Sequence, residues 1–250
     1  MDLIPPRFGL GRDEKSVTRQ PPHRRHGQPL GEGDVAGLGP VHVALVDGGA
    51  FRVHPDVGIF AATADHAPES LAALGRLVQA HPGEVGVVER FDLPPVPGTQ
   101  VTKRAVLNQM VAQTLARPKP VDFEIQPLGD ADSPQMVALA ALTAPGPFFS
   151  RTHELGDFVG VKVDGQLVAM AGERLQPEGF TEVSGVCAHP DHRGKGYAAM
   201  LMLHVAGRIV DRGETPFLHS FADNAGAIAL YEALGFRFRC EQVLTMLAAA

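Results

Sequence analysis

The chain has 250 residues, 44% of them hydrophobic and 20% charged. That is a globular composition, which excludes wholesale disorder and leaves material for one large or two ordinary domains. A net charge of −6 argues against broad neutralisation of nucleic-acid phosphates but leaves room for a small basic site that holds an anionic small molecule. The two cysteines, Cys187 and Cys240, lie in apolar strand-like runs without metal-ligand spacing, and no apolar run of about 18 residues could span a membrane. The first residues lack the apolar core of a signal peptide. A soluble, cytoplasmic protein with no nucleic-acid or membrane partner is the expectation.

Residues 1–39 carry five prolines and seven glycines with few periodic apolar positions, so they read as a disordered tail. The sequence alone does not separate a genuine tail from an expression or gene-start artefact. From there the texture changes. VHVALV at 41–46 is strand-like, residues 68–81 place Pro68 in a first turn and Leu71, Leu74 and Val78 at helical spacing, and 85–91 reads as a further strand. These make a small α/β unit over 40–120. Proline clusters at 94–98 and 117–120 bracket 101–116, which reads as a helix, and the second cluster reads as a linker.

From 121 the predicted order is strand 122–127, helix 132–142, an irregular helical piece 147–155, strands 157–163, 166–174 and 180–188, helix 196–212, strand 215–221, helix 224–234 and strand 236–247. This is an α+β arrangement built on a mixed, mostly antiparallel sheet with flanking helices. Asp164–Gly165 between two apolar runs predicts a tight hairpin. The long helix between strands 180–188 and 215–221 predicts a right-handed crossover between parallel strands. Glycine inside a strand often marks a bulge, so one is expected at Ser184–Gly185. Asp223 or Asn224 can cap the last helix, and Gly235 followed by Phe236 supplies a left-handed stop.

HPDHRGKGYA at 189–198 sits where the strand turns into the helix. Gly194 and Gly196 carry no Cβ, the helix start adds unpaired N–H donors, and Arg193 and Lys195 add cations. This is the composition of a phosphate cradle. The same run, as Gly194-x-Gly196-x-x-Ala199 with Glu214 twenty residues on, also satisfies a dinucleotide fingerprint. Only about 50 residues follow it, too few for a doubly wound domain that normally begins with this motif. A P-loop fails because neither Ser nor Thr follows Lys195.

Residues 121–250 resemble the GNAT superfamily of N-acetyltransferases. Arg193, Gly196 and Ala198 match its Arg/Gln-x-x-Gly-x-Gly/Ala pattern, and Asn224, Ala227, Leu230, Tyr231, Gly235 and Phe236 match its later Asn-to-Gly-Phe signature. The phrase FTEVSGVCAHPDHRGKGYA further resembles a subgroup allied to glycine N-acyltransferase, in which an N-terminal unit precedes the catalytic one. The resemblance implies acetyl-CoA as co-substrate, lying between strands 180–188 and 215–221. Its pyrophosphate would rest on Arg193, Gly194, Lys195, Gly196, Tyr197 and Ala198, its acyl carbonyl on the main chain of Val186, Cys187 and Ala188, and its pantetheine arm against Asn224.

By the same resemblance Tyr231 is the general acid that protonates the departing thiolate. Glu182 is the candidate general base, with burial expected to raise its pKa, and Glu173 is the alternative. The family transfers directly, so Cys187 reads as a core residue. His189, Asp191 and His192 are read as shaping the loop rather than binding metal, since four convergent ligands are lacking. The implied reaction is N-acetylation of a small-molecule amine or amino acid, and a non-catalytic acyl-CoA sensor is the rival from another class. The acceptor would meet residues 145–156, where Phe148, Phe149, Arg151 and His153 are available. The 40–120 unit reads as a degenerate half of the same fold that binds no CoA and walls the acceptor pocket. Homodimerisation is left open.

Overall fold

The computed structural model describes residues 43–250, so the expected tail over 1–39 lies outside the described residues. The N-terminal half runs β1 (Ala44–Asp47), β2 (Ala50–Val53), β3 (Phe60–Thr63), α1 (Pro68–Ala80), β4 (Val85–Glu89) and β5 (Thr99–Ala112). The C-terminal half begins with β6 (Gln126–Leu128), α2 (Ser133–Thr143), β7 (Phe158–Val163), β8 (Gln166–Glu173) and β9 (Phe180–Ala188). It continues with α3 (Tyr197–Asp211), β10 (Thr215–Phe221), α4 (Ala225–Leu234) and β11 (Phe236–Ala249). Among the described residues no helix is long and apolar enough to cross a membrane.

All eleven strands form one sheet in the order β1-β2-β3-β4-β11-β5-β10-β9-β8-β7-β6. Apart from β6 this order is a palindrome of function. In each half three antiparallel strands lead into a crossover helix and a parallel strand, β3–α1–β4 in one and β9–α3–β10 in the other. In each half the parallel strand is then flanked by the last strand of the other half: β4 pairs with β11, and β10 pairs with β5. The two exchanged strands pair with each other from Phe236↔Ala112 to Ala249↔Thr99. The N-terminal half therefore repeats the strand and helix order of the C-terminal half, and its last strand is built into the centre of the common sheet.

This exchange corrects the helix expected over 101–116. Lys103, Arg104, Ala105, Leu107, Gln109 and Met110 are good helix formers, yet the segment pairs on both edges, with β10 and with β11. Two ladders of backbone hydrogen bonds outweigh propensities of a few tenths of a kcal/mol per residue. The short strands β2 and β3 also lie outside the sequence reading, and the strand expected at 122–127 is the three-residue β6 at the sheet edge.

Elsewhere local chemistry explains local structure. Asp164 (φ 51°) and Gly165 (φ 78°) take the two left-handed positions of the β7–β8 turn. The bulge falls on β9, where Met170↔Cys187 and Gly172↔Ser184 leave one extra residue and Gly185 takes φ 64°. Asn224 caps α4 by accepting the N–H of Ala227 at 3.2 Å, and Gly235 (φ 106°) ends it. A Cβ at Gly235 would collide with the Thr114 carbonyl. α3 buries Leu201, Met202, Val205, Ala206 and Ile209 against Ala169, Ala171, Val183 and Leu218. α1 buries Leu71, Leu74 and Val78 against the N-terminal strands.

A fragment beginning at residue 121 lacks β5 and so leaves β10 and β11 without their shared neighbour. We expect that fragment, expressed alone, to aggregate or to lack a cooperative melt by circular dichroism. Co-expression with a fragment ending at residue 120 should restore both. A cooperative melt of the isolated fragment would overturn the reading of the exchange.

Candidate active site

Three features of the backbone create an opening in the sheet. Parallel pairing of β9 with β10 runs from Thr215↔Phe180 to Phe217↔Glu182 and stops. Beyond it, residues 183–188 and 218–221 lose each other as partners, and the bulge at Gly185 turns β9 further. The opening leads to the start of α3, where Gly194 (φ 77°) and Gly196 (φ 79°) have open space where a Cβ would stand. Gly196 caps α3 with no side-chain hydrogen bond, so the first N–H groups of the helix point outward without a partner from a cap. Arg193 and Lys195 are exposed beside them, and Lys195 Nζ stands 3.3 Å from His192 Nδ1. A cradle of this shape, with cations and a helix dipole, fits a pyrophosphate.

The bulge also sets which side chains share a face. Val183, Val186 and Ala188 pack with the cluster beneath α3, whereas Cys187 packs with Phe158 and Met170 on the α2 side. Burial pushes the Cys187 thiol up to about 11, which keeps it protonated and unreactive. Tyr231 is half-buried on α4, its ring edge-on to Phe236 at 6.5 Å between centroids. Among the described residues its hydroxyl has no hydrogen-bond partner, and burial raises its pKa. His189 Nδ1 accepts the N–H of Asp191 at 3.2 Å, an interaction within the loop itself.

Glu182 lies at the base of the opening and is wholly buried. Arg174 clamps it through Nε (2.8 Å, to Oε2) and Nη2 (2.7 Å, to Oε1), and His219 Nδ1 stands 2.7 Å from the same Oε1. The expectation that burial raises its pKa is corrected here. Desolvation does push upward, but the charge and hydrogen bonds of Arg174 and the bond from His219 override it and hold the carboxyl at about 2. Since the folded value lies below the ordinary 4.5, the cluster adds stability above about pH 4.5 and loses it as the pH falls towards 2. His219 continues the chain of bonds, with Gln242 Oε1 at 2.7 Å and Gln109 Nε2 at 3.2 Å from its Nε2.

Glu173, the alternative base, points the other way. It pairs with Arg212 at 2.9 Å just past the C-terminal end of α3, and a 15-residue helix separates that end from the glycine cradle by about 22 Å. Burial raises its pKa, yet its place removes it from the opening.

The segment 145–156 borders the opening on the α2 side. Phe148 packs edge-on to Phe158 at 5.5 Å between centroids and lines a pocket with Thr152, Arg174, Ser184 and Gly185. Arg151 is committed to Glu154 through two bonds of 2.6 and 2.8 Å, and His153 Nε2 lies 2.8 Å from Asp130. The N-terminal half holds this segment in place: Arg151 N–H donates to the Asp56 carbonyl at 3.0 Å and the Thr152 hydroxyl to the Val57 carbonyl at 2.7 Å. Arg174 and His219 are absent from the sequence reading. His219 carried one signal, since it alternates with Phe217 and Phe221 along an apolar strand; Arg174 carried none.

Comparison with known proteins gives the same picture. A family model described as FR47-like protein matches residues 158–244. A solved GNAT-family acetyltransferase structure from Novosphingobium aromaticivorans is 44% identical, with 84% of this chain and 92% of that one covered and a TM-score of 0.76. A GCN5-related N-acetyltransferase from Kribbella flavida shares the fold at 20% identity, with 82% and 88% covered and a TM-score of 0.56. A Drosophila protein shares it at 15% identity, with 80% and 73% covered and a TM-score of 0.56. None of the curated proteins matches the sequence. The agreement of fold and sequence over most of both chains establishes that this chain belongs to the GNAT family of acetyltransferases.

Proposed function

We propose that the protein transfers an acetyl group from acetyl-CoA to the primary amine of a small molecule or amino acid by direct attack. The observation that carries this reading is the gap between β9 and β10 leading to an uncapped helix start flanked by Gly194 and Gly196. The donor supplies a thioester carbonyl that an amine can attack and a thiolate that must leave. Backbone N–H groups of residues 193–198 would hold its pyrophosphate. The main chain of Val186, Cys187 and Ala188, freed from pairing with β10, would hold its acyl carbonyl, and the amide nitrogen of Asn224 would face its pantetheine arm. Tyr231 keeps its proton at neutral pH and can donate it to the leaving thiolate. The two-part chain also fits the glycine N-acyltransferase-like subgroup, which an acceptor screen would test.

Glu182 suits the role of base poorly. A carboxylate held at about 2 takes a proton weakly from an ammonium whose own pKa is near 8–10. We assign it instead to fixing Arg174 and His219, with the acceptor entering as the free amine. The N-terminal half has no counterpart of the cradle. Its β3–α1 connection spans 64–67, and Asp65 accepts the Ala67 N–H at 3.0 Å and a bond from Ser70, placing the chain's own carboxylate at the helix start.

Three outcomes check this account. Tyr231→Phe should lower kcat by about 10²-fold or more with acetyl-CoA affinity by calorimetry unchanged; a variant with undiminished turnover removes the acid role, and failure of any amine to release CoA from the wild type favours the sensor. kcat/KM should rise with pH along a limb that moves with the amine pKa of the acceptor, and a fixed limb abolished by Glu182→Gln would restore Glu182 as base. Calorimetric titration should give one acetyl-CoA per chain, a second equivalent contradicting the degenerate N-terminal half.

A further inference from the structure

We propose that Arg174 reads a carboxylate on the acceptor, so that the amine substrate is an amino acid rather than a simple amine; this rests on the acyltransferase reading above. A guanidinium offers three nitrogens, and here two are spent on Glu182. Among the described residues Nη1 has no partner. The group cannot turn to find one. Its bidentate edge is fixed by a buried carboxylate, its face lies 4.5 Å over the ring of Phe60, and its own backbone N–H is tied to the Glu182 carbonyl at 3.1 Å. Arg174 also lines a pocket together with Phe148, Thr152, Phe158, Ser184 and Gly185.

The unused donors of a guanidinium suit a carboxylate. Apart from Arg174 none of these lining residues is charged, and the side chain of Arg174 is only 15% exposed, so little water competes for the free edge. The nearby acids are engaged: Glu182 by Arg174 and His219, and Glu154 by Arg151. Lysine would not serve as well, since one point charge cannot hold Glu182 along one edge and present a second donor pair on another. The pocket is narrow and abuts the bulge at Ser184–Gly185, beside the main chain assigned to the acyl carbonyl. A carboxylate seated on Nη1 therefore places an amine a few bonds away at the opening, which describes an α-amino acid or a short homologue.

The test compares amino acids with their carboxamides on the full chain. CoA release should favour each acid over its amide by about tenfold or more in kcat/KM, the worth of a hydrogen bond to a charged group. Arg174→Lys should raise KM for acids by a larger factor than KM for amides, a split that a general loss of structure does not produce. Should Arg174→Lys unfold, the double variant Arg174→Gln/Glu182→Gln removes both charges together and should erase the preference. A second arm does not depend on turnover: with CoA present, N-acetylglycine should bind by calorimetry more tightly than N-acetylglycinamide. Equal use of acids and amides, or equal or no binding of the two probes, overturns the proposal. Selective binding without CoA release from any acceptor leaves Arg174 as the carboxylate site and sinks the acyltransferase reading instead.

Discussion

The antiparallel pairing of β5 with β11 is the constraint on which the rest depends. Each strand closes the other half's sheet, so neither half has a complete set of neighbours by itself. The consequence reaches the site. β10 has β5 on one side along 217–221 and β9 on the other only as far as Glu182. Because β5 holds the free end of β10, the strand can part from β9 without its whole backbone being stripped of partners. An opening in the middle of a sheet is thus stabilised by an element from the other end of the chain.

The opening exposes the sheet interior, and the chain fills its base with charge. Glu182, Arg174 and His219 replace the apolar side chains that would pack there in a closed sheet. Buried ion pairs repay their desolvation only when every bond is made, and here both carboxylate oxygens and two guanidinium nitrogens are satisfied. Phe60 from the N-terminal half covers the guanidinium face. Loss of one partner would leave the other buried and unpaired, at a cost of about 3–5 kcal/mol. The cluster is thus a fixed floor, and Arg174 also lines the pocket beside it.

Most of the C-terminal half was legible because its signals are local. The Asp164–Gly165 turn, the Gly185 bulge, the Asn224 cap and the Gly235 stop each need a residue type that few others can replace. The bounds of β9 and β10 follow from such punctuation. The 99–112 segment was misread for the opposite reason. Its residues suit a helix, and the pairing that makes it a strand comes from β11, more than a hundred residues away. Arg174, just past the end of β8, and Glu182 on β9 sit eight residues apart, with no spacing rule to announce their bond. Glu182 was placed correctly on its strand and given the wrong proton affinity, because burial is visible as an apolar context whereas its counter-charges are a matter of tertiary contact.

The two halves explain each other's differences. A helix start in either half presents unpaired N–H groups that something must satisfy. In the N-terminal half Pro68 has no N–H to leave unpaired, and Asp65 accepts the Ala67 N–H just before the helix. In the C-terminal half an eight-residue loop with two left-handed glycines and two cations leaves the first N–H groups without a side-chain cap. The N-terminal half supplies Phe60 behind Arg174 and the Asp56 and Val57 carbonyls that moor the 145–156 segment. The surroundings of the 145–156 segment are thus drawn from both halves of the chain, whereas the glycine cradle is built from a single loop and helix start.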